Sequence, residues 1–321
     1  MSERTAGGIA VLMYHAIAPG SAGAAAADPR YTITRAQLAE QLRALRTRVG
    51  AARAVRDVLR DSASTPTNSP RDSESDSSAP CITDALAAPA LSRAPTIGAG
   101  SPDRGLSRHG ADACGVALTF DDGHETNFTE ALPLLVEHGA NADFFVNPAK
   151  VGTWGHASWA QLREMADAGM SIQSHGYDHT YFTALTPSAL ERDLRSSKAE
   201  IEHRVGREVT LLAPPGGRMP PLLAILAGAL GYTAVVSSRP ALWSSRADAL
   251  IPRLAVTSDT DVERIVGWAS GDARAMRGAV WRYALLARAK RVFGDDRYER
   301  IRARVLAARP ALPTPPQDRP A

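Results

Sequence analysis

The chain has 321 residues, 44% of them hydrophobic, enough for one large domain or two ordinary ones. Its formal charge is only +3, but residues 271–321 carry 12 Lys/Arg against 5 Asp/Glu, a +7 segment that leaves the rest at −4. Cys81 and Cys114 are too few for a disulfide framework, no window approaches a transmembrane helix in length, and no leader precedes the first apolar run, so the expectation is a cytoplasmic protein.

Ile9-Ala10-Val11-Leu12-Met13-Tyr14-His15 reads as a buried first strand ending in Tyr-His. A small-residue loop follows, and then an amphipathic helix from Thr34, its expected cap, with Leu38, Leu42 and Leu45 on one face. Residues 59–112 are Ser/Pro/Asp-rich and then Ala/Pro/Gly-rich, too poor in large apolar side chains to offset their ordering entropy. They are expected to be a disordered insertion between an N-terminal strand and helix (1–58) and the main core (113–260).

Ala117-Leu118-Thr119-Phe120-Asp121-Asp122-Gly123 is an apolar strand delivering two adjacent carboxylates to a glycine turn. Alternation along a strand lets consecutive aspartates face different tasks, one toward a metal and one toward a proton. Some fifty residues on, Met170-Ser171-Ile172-Gln173-Ser174-His175-Gly176-Tyr177-Asp178-His179 places two histidines four apart after another short strand. Two imidazoles and one carboxylate make a three-ligand set with open positions, the arrangement of catalytic zinc.

These two motifs together resemble the polysaccharide deacetylases of the NodB-homology type, carbohydrate esterase family 4. The resemblance covers residues 114–260 and the N-terminal strand. It implies Asp121 as general base and Asp122, His175 and His179 as ligands of a divalent metal, most simply Zn2+, with Co2+, Ni2+ or Fe2+ suiting the same donors. The late histidine that many members use as general acid is missing after His203. Val11–His15 resembles instead the circularly permuted exopolysaccharide-deacetylase branch, which implies His15 as the acid. Val209–Arg218 resembles the third family motif only in part. Ala213 stands where the family has arginine, so Arg218 is the candidate to hold the base, with Gly216 and Gly217 opening backbone amides toward an oxyanion.

Strands at 143–146, 170–173, 234–237 and 251–256 alternate with helices at 127–138, 159–168, 187–205 and 222–230. That rhythm means parallel strands with sites at their C-terminal ends. The expected fold is α/β, and the resemblance implies a distorted (β/α) barrel of seven or eight parallel strands. Trp243 suits the substrate groove or the core equally. A helical extension (261–308) should bury Val262, Ile265, Val266, Trp281, Leu285, Val292, Phe293 and Ile301, with its arginines opposite, before a flexible tail (309–321). The implied function is metal-dependent N-deacetylation of an acetylated glycan or lipid-linked sugar. A non-catalytic glycan-binding module and a hydrolase of non-sugar amides are the alternatives. The basic C-terminus suits contact with a membrane surface, and no motif supports nucleic-acid binding.

Overall fold

The computed structural model describes residues 8–18, 27–63, 115–245 and 247–293. An eight-stranded parallel sheet, with strand order β10-β1-β4-β5-β6-β7-β8-β9, curls around a small interior. Its members are β1 (Ile9–Tyr14), β4 (Gly115–Phe120), β5 (Ala142–Val146), β6 (Ser171–Ser174), β7 (Leu211–Leu212), β8 (Ala234–Val236), β9 (Leu250–Ile251) and β10 (Leu254–Ala255). β9 pairs with β8 and β10 with β1, so one extended segment, with Pro252-Arg253 at its middle, joins the two edges of the curl. β2 (Ala16–Ala18) and β3 (Thr32–Thr34) form a separate two-stranded parallel sheet. The expected barrel of seven or eight parallel strands is therefore the one observed.

Strand alternation divides the apolar side chains into two layers. Leu12, Leu118, Phe144 and Ile172 point outward under the helices. Val11, Ala117, Phe145, Leu211, Ala213, Ala234 and Val236 point inward, where small side chains permit the tight curl. α1 (Arg35–Arg48) starts at Thr34 with a capping box closed by Gln37, and buries Leu38, Leu42 and Leu45 as its spacing demands. α4 (Trp159–Asp167), α5 (Pro187–Val205) and α6 (Leu223–Ala229) fill the expected crossovers, and α3 (Leu132–Glu137) follows a π-helical turn at Asn127–Ala131. Trp243 is buried in the inner layer, so it is a core residue and does not line the groove.

Two expectations need correction. Residues 59–63 belong to α2 (Val55–Ala63), whose Val55 and Val58 close the inner layer; the rest of the expected insertion, and the tail, lie outside the described residues. In the C-terminal extension, α7 (Val262–Ala269) buries Ile265 and Val266, but α8 (Ala273–Phe293) turns Trp281 and Leu285 outward, 76% and 69% exposed. Its inward side is built of Ala275, Met276 and Ala279, small enough for close approach, so the apolar stripe with the largest side chains is left outside. The side chains of Val292, Phe293 and Ile301 lie outside the described residues.

α2 is anchored from an unusual direction. The Asp143 carboxylate on β5 accepts from the Val55 amide at 2.5 Å and the Arg56 amide at 3.4 Å. Burial pushes Asp143 up to about 7, although bonds from Ser171, Val55 and Arg56 oppose the shift. The folded value lies above the unfolded one, so the folded state binds the extra proton and this group's stabilisation is lost as pH rises from about 4 to about 7. Asp143→Asn is expected to remove that dependence: thermal melting at pH 5.5 and pH 8 should differ less in the variant than in the parent, and equal differences would contradict the assignment.

Candidate active site

Four strands deliver the site residues at their C-terminal ends. On β4 the inward alternation Ala117, Thr119 continues to Asp121, which is 3% exposed. The next residue, Asp122, breaks the pleat with φ 73°, and Gly123 follows with φ 68°. On β6 the inward series Ser171, Gln173 leads to His175, and His179 closes the following turn with φ 72°. Asp122 and His179 are the two non-glycine residues with positive φ among those described, and both face the same point. Such backbone strain persists where the surroundings over-determine it.

What over-determines the turn is visible. Asn147 at the end of β5 donates to the carbonyls of His175 (2.5 Å) and Gly176 (3.2 Å). Ser197 on α5 also reaches the Gly176 carbonyl, and Asp193 accepts from the Tyr177 amide. A side chain at Gly176 would meet the Phe182 ring at 2.9 Å, so that close approach needs glycine.

Asp122 Oδ1 lies 3.3 Å from His175 Nε2 and 3.1 Å from His179 Nε2, and the three ligand atoms fall within 4.8 Å of one another. His175 Nδ1 is 2.8 Å from the Ala213 carbonyl, a contact that orients the ring and aims Nε2 at Asp122. Burial pushes the Asp122 carboxyl up, but bonds from His124, His175 and His179 outweigh it and hold the group well below the usual carboxylate range. One carboxylate and two oriented imidazoles fit a divalent cation.

Asp121 faces a different partner. Arg253, 1% exposed, donates from Nη1 to Oδ1 at 2.7 Å and from Nη2 to Oδ2 at 2.9 Å. Its Nε donates to the Ser237 carbonyl at 3.1 Å, and its guanidinium carbon stands 5.5 Å from the centre of the Phe145 ring. Burial pushes Asp121 up, and the Arg253 guanidinium overcomes it and keeps the carboxylate ionised below its ordinary value. This corrects the expectation for Arg218: the seat on Asp121 belongs to Arg253, at the closing segment between β9 and β10. Arg218 lies instead 4.7 Å over the Tyr181 ring, lining the same cavity. The amide of Gly217 is bonded to the Pro214 carbonyl at 2.9 Å, so it serves the turn and is not open to an oxyanion.

His15 follows β1, between β10 and β4, and enters the cavity beside both aspartates. Its ring packs on Tyr31 at 4.7 Å between centroids, and Asn127 holds its carbonyl at 2.7 Å. Burial lowers the His15 pKa, an effect that Asp122 and Asp121 partly offset. The structure thus brings His15, Asp121, Asp122, His175, His179 and Arg218 around one cavity of about 570 Å3. Sequence reasoning missed Arg253 and also His124, whose Nε2 stands 3.6 Å from Asp122 Oδ2. His124 was within reach as the neighbour of the Asp-Asp-Gly turn; Arg253, 132 residues from its partner, had no local signal.

Residues 110–235 match the family model described as polysaccharide deacetylase. The chain is 32% identical to YxkH of Bacillus subtilis over 125 residues, 39% of this chain and 45% of that one. It is 32% identical to the chitooligosaccharide deacetylase of Sinorhizobium fredii over 99 residues, 30% of this chain and 44% of the relative. These matches span less than half the length of either relative. The solved structure of Streptococcus pyogenes deacetylase PplD in complex with acetate shares the fold, with a TM-score of 0.59 at 19% identity over 81% of this chain and 96% of that one.

Proposed function

We propose, for a chain whose residues 110–235 are a domain of the polysaccharide deacetylase family, metal-dependent hydrolysis of the acetamide of an N-acetylated amino sugar in a glycan. The observation that carries this reading is the pairing of a three-ligand cluster, Asp122, His175 and His179, with an adjacent carboxylate that Arg253 keeps ionised. A binding module has no use for the second feature.

A divalent cation on those ligands supplies polarisation of the acetyl carbonyl and a lowered pKa for water. Zinc suits two imidazoles and a carboxylate, and cobalt, nickel and iron accept the same donors. Asp121 takes the proton of the attacking water, its oxygens held in place by the fork of Arg253. His15 delivers a proton to the amine nitrogen as the C–N bond breaks, and acetate and a free amino sugar leave. Arg218, stacked on Tyr181 in the cavity wall, positions the sugar.

Titration calorimetry on chelator-stripped protein is expected to show one zinc site per chain. Acetate release from N-acetylglucosamine oligomers should return with the metal, and His175→Ala should lose both. Acetate release that persists after stripping, or a histidine variant that binds zinc as the parent does, would contradict the ligand set.

A further inference from the structure

Helix α8 forms one wall of the cavity and turns its other side to solvent. Ala279, Arg282, Tyr283 and Leu286 line the cavity, while Ala275 and Met276 pack on the core. The outward side is not the uniformly polar face that a surface helix ordinarily shows. Arg274, Arg277, Trp281, Leu285 and Arg288 recur at intervals of three and four residues, which places them in one stripe, and all five are exposed. Between Ala273 and Phe293 there is no acidic residue. A lone exposed residue such as Trp154 or Ile225 requires no explanation. A tryptophan and a leucine set among guanidiniums along one helix is a different object, and Val280 and Trp281 extend it into an apolar groove shared with Pro240 and Leu242.

We propose that this stripe seats α8 on an anionic lipid bilayer. No helix among the described residues is long and apolar enough to cross a membrane, so the contact is interfacial. Trp281 and Leu285 enter the headgroup boundary. The arginines lay their aliphatic stems along it and meet the lipid phosphates and carboxylates with their charged ends. A second copy fits less well: a two-fold contact would bring Arg274, Arg277 and Arg288 against their own kind, with no carboxylate on the helix to receive them. Adhesion requires no turnover, so the proposal stands apart from the deacetylase reading.

The test is co-sedimentation of the full chain with vesicles of phosphatidylcholine alone and of phosphatidylcholine mixed with phosphatidylglycerol. Binding is expected to the mixed vesicles only, weakening as salt is raised. Trp281→Ser/Leu285→Ser and Arg277→Glu/Arg288→Glu should each reduce it about tenfold or more. Both variants should keep the parent's melting temperature and its acetate release from soluble oligomers, which separates lost docking from lost folding. Absence of vesicle binding by the parent, equal binding to neutral vesicles, or undiminished binding by both variants would overturn the proposal. So would a dimer that Trp281→Ser dissociates without any vesicle binding. Vesicle binding with no acetate release would leave the docking intact and remove the deacetylase reading alone.

Discussion

Arg253→Met is expected to destabilise the protein by about 3–5 kcal/mol, because it leaves the buried Asp121 carboxylate without its partner. The pair is buried on both sides, with side chains 0% and 4% exposed. Methionine fills much of the volume, so the loss is electrostatic more than steric. Turnover should fall about a hundredfold or more, since the proposed base loses the two-point contact that orients it. The pH dependence changes sign. In the parent, Asp121 lies below its ordinary value, so its stabilisation is present at neutral pH and is lost as pH falls through the folded value. In the variant, burial is largely unopposed and the carboxyl moves upward, so the neutral form is favoured and the variant is most handicapped at high pH. Urea denaturation of the two proteins should therefore show a larger stability deficit at pH 8 than at pH 5. A deficit that is equal at both, or an active variant of parental stability, would show that Arg253 is not the group that sustains Asp121.

His15→Gln is expected to lower turnover by about 10² to 10⁴, the range for removing a general acid, while zinc affinity stays within a few-fold of the parent. Glutamine keeps a polar group at the end of β1 and preserves the backbone bond from Asn127 to the residue 15 carbonyl. The discriminating comparison uses an acetylated substrate whose leaving amine needs no protonation, such as an acetanilide with an electron-withdrawing ring. There the variant should recover most of the parental rate. An undiminished rate on sugar oligomers, or a loss equal on both substrates, would show that His15 is not the acid.

The parts of this site that were legible in the sequence are those whose chemistry is local. Asp121-Asp122-Gly123 and His175–His179 each lie within one strand end and its turn, so two short stretches contained the whole candidate ligand set and the proposed base. The parallel strands with their covering helices followed from the same cause, since each crossover helix begins and ends near its own strand; the barrel was implied by the family resemblance. α1 could even be capped correctly at Thr34, because a capping box is a four-residue interaction. Arg253 was not legible. The guanidinium was sought on the β7 loop, at Arg218, whereas the fold supplies it from the segment where the last strand crosses from β8 to β1, a consequence of closure that no local pattern encodes. α2 was lost at the border of a low-complexity run, although Val55 and Val58 carry the inner core. α8 was correctly read as amphipathic and assigned the wrong face. Periodicity defines two sides of a helix, and when one side is Ala/Met and the other Trp/Leu/Arg, hydrophobicity alone favours burying the wrong one.

The most direct test of the central claim is acetate release from N-acetylglucosamine oligomers by the zinc-loaded chain, measured beside Asp121→Asn with zinc content determined in both. The account predicts release by the parent and none above background from the variant, with the same zinc content in each. Release by Asp121→Asn at the parental rate, or a zinc-loaded parent that releases no acetate from any N-acetyl sugar, would contradict it and leave a metal-binding glycan module in its place.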